Sequence, residues 1–150
     1  MKPSRIGTRS LLLFLAAFGF ATGCTHVQLI SPYDETTDRM VTALHQSTSE
    51  VLDELEAAPT PSHASISKRY AALRSDLRAV QLRNEARPKN ELTIQQLELL
   101  KANLDKLEQV HKDGLLVQAM VPIQRDTLDQ TFRAILRLEL AKKELTGAGE

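Results

Sequence analysis

Residues 94–107 read IQQLELLKANLDKL, and the apolar side chains Ile94, Leu97, Leu100, Leu104 and Leu107 recur every three or four positions. That spacing returns to one face of a 3.6-residue helix and never alternates as a strand would. The stretch predicts an amphipathic helix with one side to bury. Its ends are marked as well. Thr93 with Gln96 forms a capping box behind the stop at ARPKN, residues 86–90, and Gly114 suits the left-handed position after a helix end. A helix over about residues 91–113 is expected.

Upstream, Ile66, Tyr70, Leu73, Leu77 and Val80 repeat at alternating intervals of four and three until Pro88 intervenes. AAPTPS, residues 57–62, is a breaker, because Pro59 and Pro61 remove amide donors and restrict the residues before them. Ahead of it Thr37, Val41, Leu44, Thr48, Val51 and Leu55 form a similar coiled-coil-like seam ending near Ala57. Ser31 as N-cap, Pro32 at N1 and Asp34 at N3 are the expected start of that helix.

Downstream, LLVQAMVP, residues 115–122, is apolar but short, and fits either a packed connector or an early helical turn. Pro122 suits N1 of a fourth helix, in which Leu128, Phe132, Ile135, Leu138, Ala141 and Leu145 make a broad apolar stripe before TGAGE frays. No stretch alternates as a strand, each connection is short, and each helix has one apolar face. The expected fold is all-α, an antiparallel up-down bundle of four helices with coiled-coil-like seams over residues 31–150. Asp34 to Glu56 holds seven acids against Arg39 alone, whereas Arg74, Arg78, Arg83, Arg87 and Lys89 cluster later, so helices one and two are complementary as antiparallel neighbours. The alternative is two solvated faces, whose exposed pairs contribute about 0–1 kcal/mol each.

The N-terminus has a different composition. Lys2, Arg5 and Arg9 precede the apolar run LLLFLAAFGF, residues 11–20, and small residues follow at Ala21, Thr22 and Gly23. This is the plan of a secretory signal peptide over residues 1–23; the run is about half the ~20 residues needed to span a bilayer. Directly behind it stands Cys24, the only cysteine in the chain. Ala21, Thr22, Gly23 and Cys24 resemble the lipobox of bacterial lipoproteins, although that family usually has Leu where this chain has Ala21. The resemblance implies cleavage between Gly23 and Cys24 and acylation of Cys24, with Thr25, rather than Asp, pointing to the outer membrane. The alternative is an ordinary A-x-G cleavage site with Cys24 as an incidental thiol, but an unpaired exported cysteine is a liability. Three acyl chains would make a stable anchor. Between Cys24 and Ser31 lie only THVQLI, residues 25–30, a tether reaching at most ~25 Å. Cleavage removes three basic residues and leaves 16 basic against 19 acidic side chains, net −3. Such a balance argues against nucleic acid as partner.

Chemistry-bearing motifs are sparse. Di-metal bundles use two Glu-x-x-His elements, and this chain has one, Glu108 with His111; His26, His45 and His63 have no Glu three residues before them. Glu108 and His111 therefore read as a polar surface pair. Asp34, Glu35 and Asp38 are acidic enough for a cation, but their place in a first helical turn explains them. Glu139, between Leu138 and Leu140, has Lys142 and Lys143 in reach and reads as part of a surface pair. No CxxCH or G-x-S-x-G occurs. No catalytic residue, metal or cofactor is expected, and the chain reads as non-enzymatic.

LTIQQ, residues 92–96, is similar to the LTxxQ signature of a helical periplasmic stress-chaperone family that carries it twice. Cys24, SPYDETTD at 31–38 and AILRLELAKKEL at 134–145 together resemble small proteobacterial lipoproteins, which implies a lipid-anchored helical domain and brings no activity with it. Two functions remain: a structural or adaptor lipoprotein docking an envelope partner or itself, and a chaperone-like or ligand-handling module with a groove between helices. After Cys24 only Tyr33, Tyr70 and Phe132 could line an aromatic pocket, which favours the adaptor.

Overall fold

The computed structural model describes residues 30–147, with side chains to residue 145. The expected signal peptide, its cleavage site at Gly23 and Cys24, and nearly all of the tether lie outside the described residues. Four helices follow in order: α1 Glu35–Glu56, α2 His63–Glu85, α3 Glu91–Lys112 and α4 Val121–Gly147, with a 3-10 turn at Gln118–Met120 ahead of α4. There is no strand among the described residues. Each helix packs on its neighbours in chain order, and α4 closes the bundle by packing on α1. Antiparallel pairing is visible in the contacts: Thr93 meets Glu139 and Asn103 meets Thr131, so positions descend along α4 as they rise along α3.

The core is the sum of the seams. Val41, Leu44, Val51 and Leu55 of α1, Leu73, Leu77 and Val80 of α2, Leu97, Leu100 and Leu107 of α3, and Leu128, Phe132 and Ile135 of α4 are all buried. Burying each such side chain contributes about 1.5–3 kcal/mol. Four amphipathic helices closed into a ring satisfy every seam at once, which is why the 4–3 spacing selects a bundle.

Local details differ from expectation in four places. Asp34, rather than Ser31, caps α1: its side chain accepts from the Thr37 amide, and the helix begins at Glu35. Asn90 holds the N-cap position of α3 without a side-chain cap bond, and Thr93 is buried and donates to Glu139 instead of closing a capping box. α4 starts at Val121, one residue ahead of Pro122. Ala141 and Leu145 are exposed, while Glu139 and Lys142 are buried in their stead. This last correction has a simple cause. The interval pattern running through Leu128, Phe132 and Ile135 continues by four to Glu139 and by three to Lys142, and the helix keeps its period although the residues change from apolar to charged.

The α3–α4 connector, an open question in sequence, is a packed connector with a short 3-10 turn. Gly114, at φ +71°, gives α3 its Schellman close, with the Leu115 amide donating to Val110 O at 3.0 Å and the Gly114 amide to His111 O at 3.0 Å. Leu116 then turns inward and Val121 seals the core.

Candidate functional site

Two groups of polar side chains are built into the bundle, one towards each end. The larger lies where α1 begins, α2 ends, α3 begins and α4 ends. The 4–3 seams arrive there with polar residues: Asp34 at the N-cap and Thr37 within α1, Asn84 on α2, Asn90 at the N-cap and Thr93 within α3, Glu139 and Lys142 on α4. All seven are buried. Lys142 Nζ donates to Asn90 Oδ1 at 2.7 Å, to Thr93 Oγ1 at 2.6 Å and to Glu139 Oε1 at 2.6 Å, using all three ammonium protons. Asn90 Nδ2 donates to Asn84 Oδ1 at 2.7 Å, and Asn84 Nδ2 donates to Val80 O at 2.8 Å and Thr37 Oγ1 at 3.2 Å. Thr37 Oγ1 then donates to Asp34 Oδ2 at 2.7 Å. One continuous network thus crosses all four helices. Glu139 Oε2 is buried without a hydrogen-bond partner among the described residues.

The network is closed at its outer edge by an ion pair. Arg83 Nε and Nη2 donate to the two oxygens of Asp34 at 2.6 and 2.8 Å, and Arg87 approaches at 3.6 Å. The Arg83 guanidinium holds the Asp34 carboxyl well below the usual carboxylate range; Thr37 and Arg87 pull the same way and burial opposes them. Of the expected acidic cluster, Asp34 is therefore neutralised by arginine, and Asp38 accepts from the Tyr33 hydroxyl at 2.8 Å. Ser31, displaced from the capping role, is also tied in: its amide donates to Lys89 O at 2.8 Å and its hydroxyl to Asn90 Oδ1 at 2.7 Å. The incoming chain is thereby fastened to this end of the bundle.

The second group involves the expected Glu108–His111 pair, and the structure separates the two. His111 is buried: its Nε2 donates to Pro61 O at 2.8 Å, and its Nδ1 faces the Tyr70 hydroxyl at 3.0 Å. A carbonyl only accepts, so the neutral Nε2–H tautomer satisfies both contacts, with Tyr70 donating. Burial pushes the Tyr70 hydroxyl far above its usual range, Glu108 adding to the effect, which keeps it a donor. Glu108 instead pairs with Arg74 and with His63 Nε2, the latter at 3.3 Å. His63 also stacks on Tyr70, ring centroids 5.6 Å apart. Among the described residues no group of three His, Cys, Asp or Glu side chains is placed to hold a metal ion.

Charge pairing between α1 and α2 is narrower than the sequence suggested. Asp34 takes Arg83 and Arg87, and Glu50 and Glu54 take Arg69, which lies outside the basic cluster; Arg74 turns to α3 and Arg78 to Glu85 in its own helix. A shallow surface depression on α1 is lined by Asp38, Arg39, Thr42, Ala43 and Gln46. No helix among the described residues is long and apolar enough to cross a membrane. Cys24, the expected lipidation site, lies outside the described residues. Set against protein-family models, curated proteins and solved structures, the chain matches none of them.

Proposed function

We propose that the chain is a lipid-anchored periplasmic lipoprotein, held through acyl chains on Cys24 and acting without enzymatic chemistry as a structural or adaptor protein that docks an envelope partner through its helical bundle. The observation that carries this reading is the fastening of Ser31 to Lys89 and Asn90 at one end of the bundle. With Cys24 acylated, a tether of at most ~25 Å keeps that end close to the bilayer and directs the opposite end outward. The outer membrane, periplasmic face, is the proposed address, because Thr25 follows Cys24. Both buried polar groups support a non-enzymatic role, since their titratable side chains are spent on holding helices together.

Intact mass of the protein extracted from membranes tests the anchor. A chain beginning at Cys24 with acyl mass supports it, and a Cys24→Ser variant then leaves the membrane fraction. A mature chain starting at Cys24 without acyl mass refutes it.

A further inference from the structure

We propose that residues 31–33 are a releasable strap: seated, they seal the polar layer at their end of the bundle, and lifted, they let the start of α3 and the end of α4 open together while the apolar part of the bundle stays folded. The inference goes beyond the adaptor reading and does not depend on acylation of Cys24. The strap lies ahead of α1 and is held mainly by the α2–α3 loop. Ser31 N donates to Lys89 O at 2.8 Å, Ser31 Oγ to Asn90 Oδ1 at 2.7 Å, and Arg87 Nη2 to Pro32 O at 2.6 Å. The Tyr33 hydroxyl donates to Asp38 Oδ2 at 2.8 Å, and Lys143 Nζ of α4 stands 5.4 Å from the centre of the Tyr33 ring. Ser31 is thereby only 2% exposed although no helix holds it. Asp34, gripped by Arg83 and Thr37, stays with α1 and is the hinge.

What lies beneath the strap makes it a latch. Asn90 Oδ1 accepts from both Ser31 Oγ and Lys142 Nζ, which fills a carbonyl oxygen, and Asn90 Nδ2 spends both protons on Asn84, one on its backbone oxygen and one on Oδ1. Lifting Ser31 frees one of those acceptor positions for water directly beside the buried Lys142 ammonium. The layer there is polar on all four helices, so little apolar area resists the entry of water; the first fully apolar layer inward is Val41, Val80, Leu97 and Ile135. Glu139 Oε2 tips the balance the same way. It is buried without a hydrogen-bond partner among the described residues, and hydration on opening would satisfy it. A helix end with few apolar contacts and a polar layer ready to accept water is where a folded chain opens locally at least cost. Because the strap is continuous with residues 25–30, whatever draws those residues away from the bundle lifts Ser31 first. The strap thus converts displacement of the preceding chain into opening of one end of the bundle.

The test is native-state hydrogen exchange of the full chain, followed at residues 94–98 and 139–145 near the strap and at residues 104–111, further along α3. In wild type the first two stretches should exchange through one shared opening, faster than residues 104–111 and with little dependence on urea. Ser31→Pro removes both the amide and the hydroxyl that seat the strap, and lies outside α1; it should speed exchange in both stretches by about tenfold, and Ser31→Ala, which keeps the amide bond to Lys89 O, by less. Tyr70→Phe, which breaks the buried bond to His111 at the other end, should leave them unchanged. Unchanged exchange in Ser31→Pro would overturn the proposal. So would acceleration of only one of the two stretches, because the layer would then not open as a unit, or equal acceleration by Tyr70→Phe, because these residues would then open only with the whole bundle. The exchange rates and the acyl mass on Cys24 are separate measurements, so either reading can fail without the other.

Discussion

Lys142 Nζ lies 2.6 Å from Glu139 Oε1, and both side chains are closed off from solvent at 2% and 1% exposure. A charge pair so buried loses hydration on both sides, and its attraction only roughly offsets that loss. Removing one partner is a different matter, because the other charge is left uncompensated. Glu139→Leu alone and Lys142→Met alone should each cost about 3–5 kcal/mol in denaturant unfolding, a large part of the ~5–15 kcal/mol a domain has. The double variant should be more stable than either single one. A double variant less stable than both would show that the pair is a net source of stability.

This pair also marks the limit of what the sequence makes legible. The helices, their breaks and the apolar seams follow from spacing alone, because periodicity reports the face that must be buried. Polar identity obscured the rest. At Ile135 two continuations are open, to apolar Leu138 or to charged Glu139, and hydrophobicity chooses the first while the helical period demands the second. The same four-then-three count runs from Val80 to Asn84 and back from Leu97 to Thr93 and Asn90. Holding the count fixed through polar residues would have found the network's positions; nothing in the chain's composition reveals that Lys142 reaches Asn90. Lys142, Asn90 and Asn84 satisfy one another across the helices in this order and register, and a slip of any one helix would break those bonds.

Asp34 makes stability depend on pH. Its carboxyl titrates lower in the folded protein than in the unfolded chain, where the ordinary value is 3.8. The folded state therefore gains from Asp34 above about pH 4, and loses that gain as acidity rises and the carboxyl protonates. In Asp34→Asn the cap is kept and the charge is lost. The variant should be about 1 kcal/mol less stable than wild type at pH 7, discounted because Arg83 is 40% exposed, and the gap should begin to narrow below about pH 4 and close only in stronger acid, once the folded carboxyl itself protonates. Urea midpoints at pH 7, 5, 4 and 3 read the difference directly; a gap that persists undiminished into acid would contradict the assignment.

Tyr70 and His111 form a second buried pair, linked at 3.0 Å, and the two ends of the bond are unequal. Tyr70→Phe removes a donor and leaves His111 its bond to Pro61, at a cost of about 1 kcal/mol. His111→Leu strands the Tyr70 hydroxyl and the Pro61 carbonyl, and should cost about 2–3 kcal/mol. A double-mutant cycle should return a coupling of about 0.5–2 kcal/mol, and additivity would mean that the hydroxyl finds another partner.

Gly114 separates backbone conformation from packing at the close of α3. Its φ is +71°, and a Cβ added there meets nothing within 4 Å. Gly114→Ala therefore costs only the left-handed conformation, about 1 kcal/mol, while Gly114→Asn, which tolerates that region, should cost less. The close of α3 at Gly114 is also what turns Leu116 inward and leaves Leu115 and Val117 outside. Gly114→Pro should cost about 3 kcal/mol or more, because proline can supply neither the left-handed φ nor the amide that bonds His111 O. The comparison is read as urea midpoints of the three variants against wild type. A Gly114→Pro variant as stable as Gly114→Asn would mean that the Schellman close contributes nothing to the end of α3.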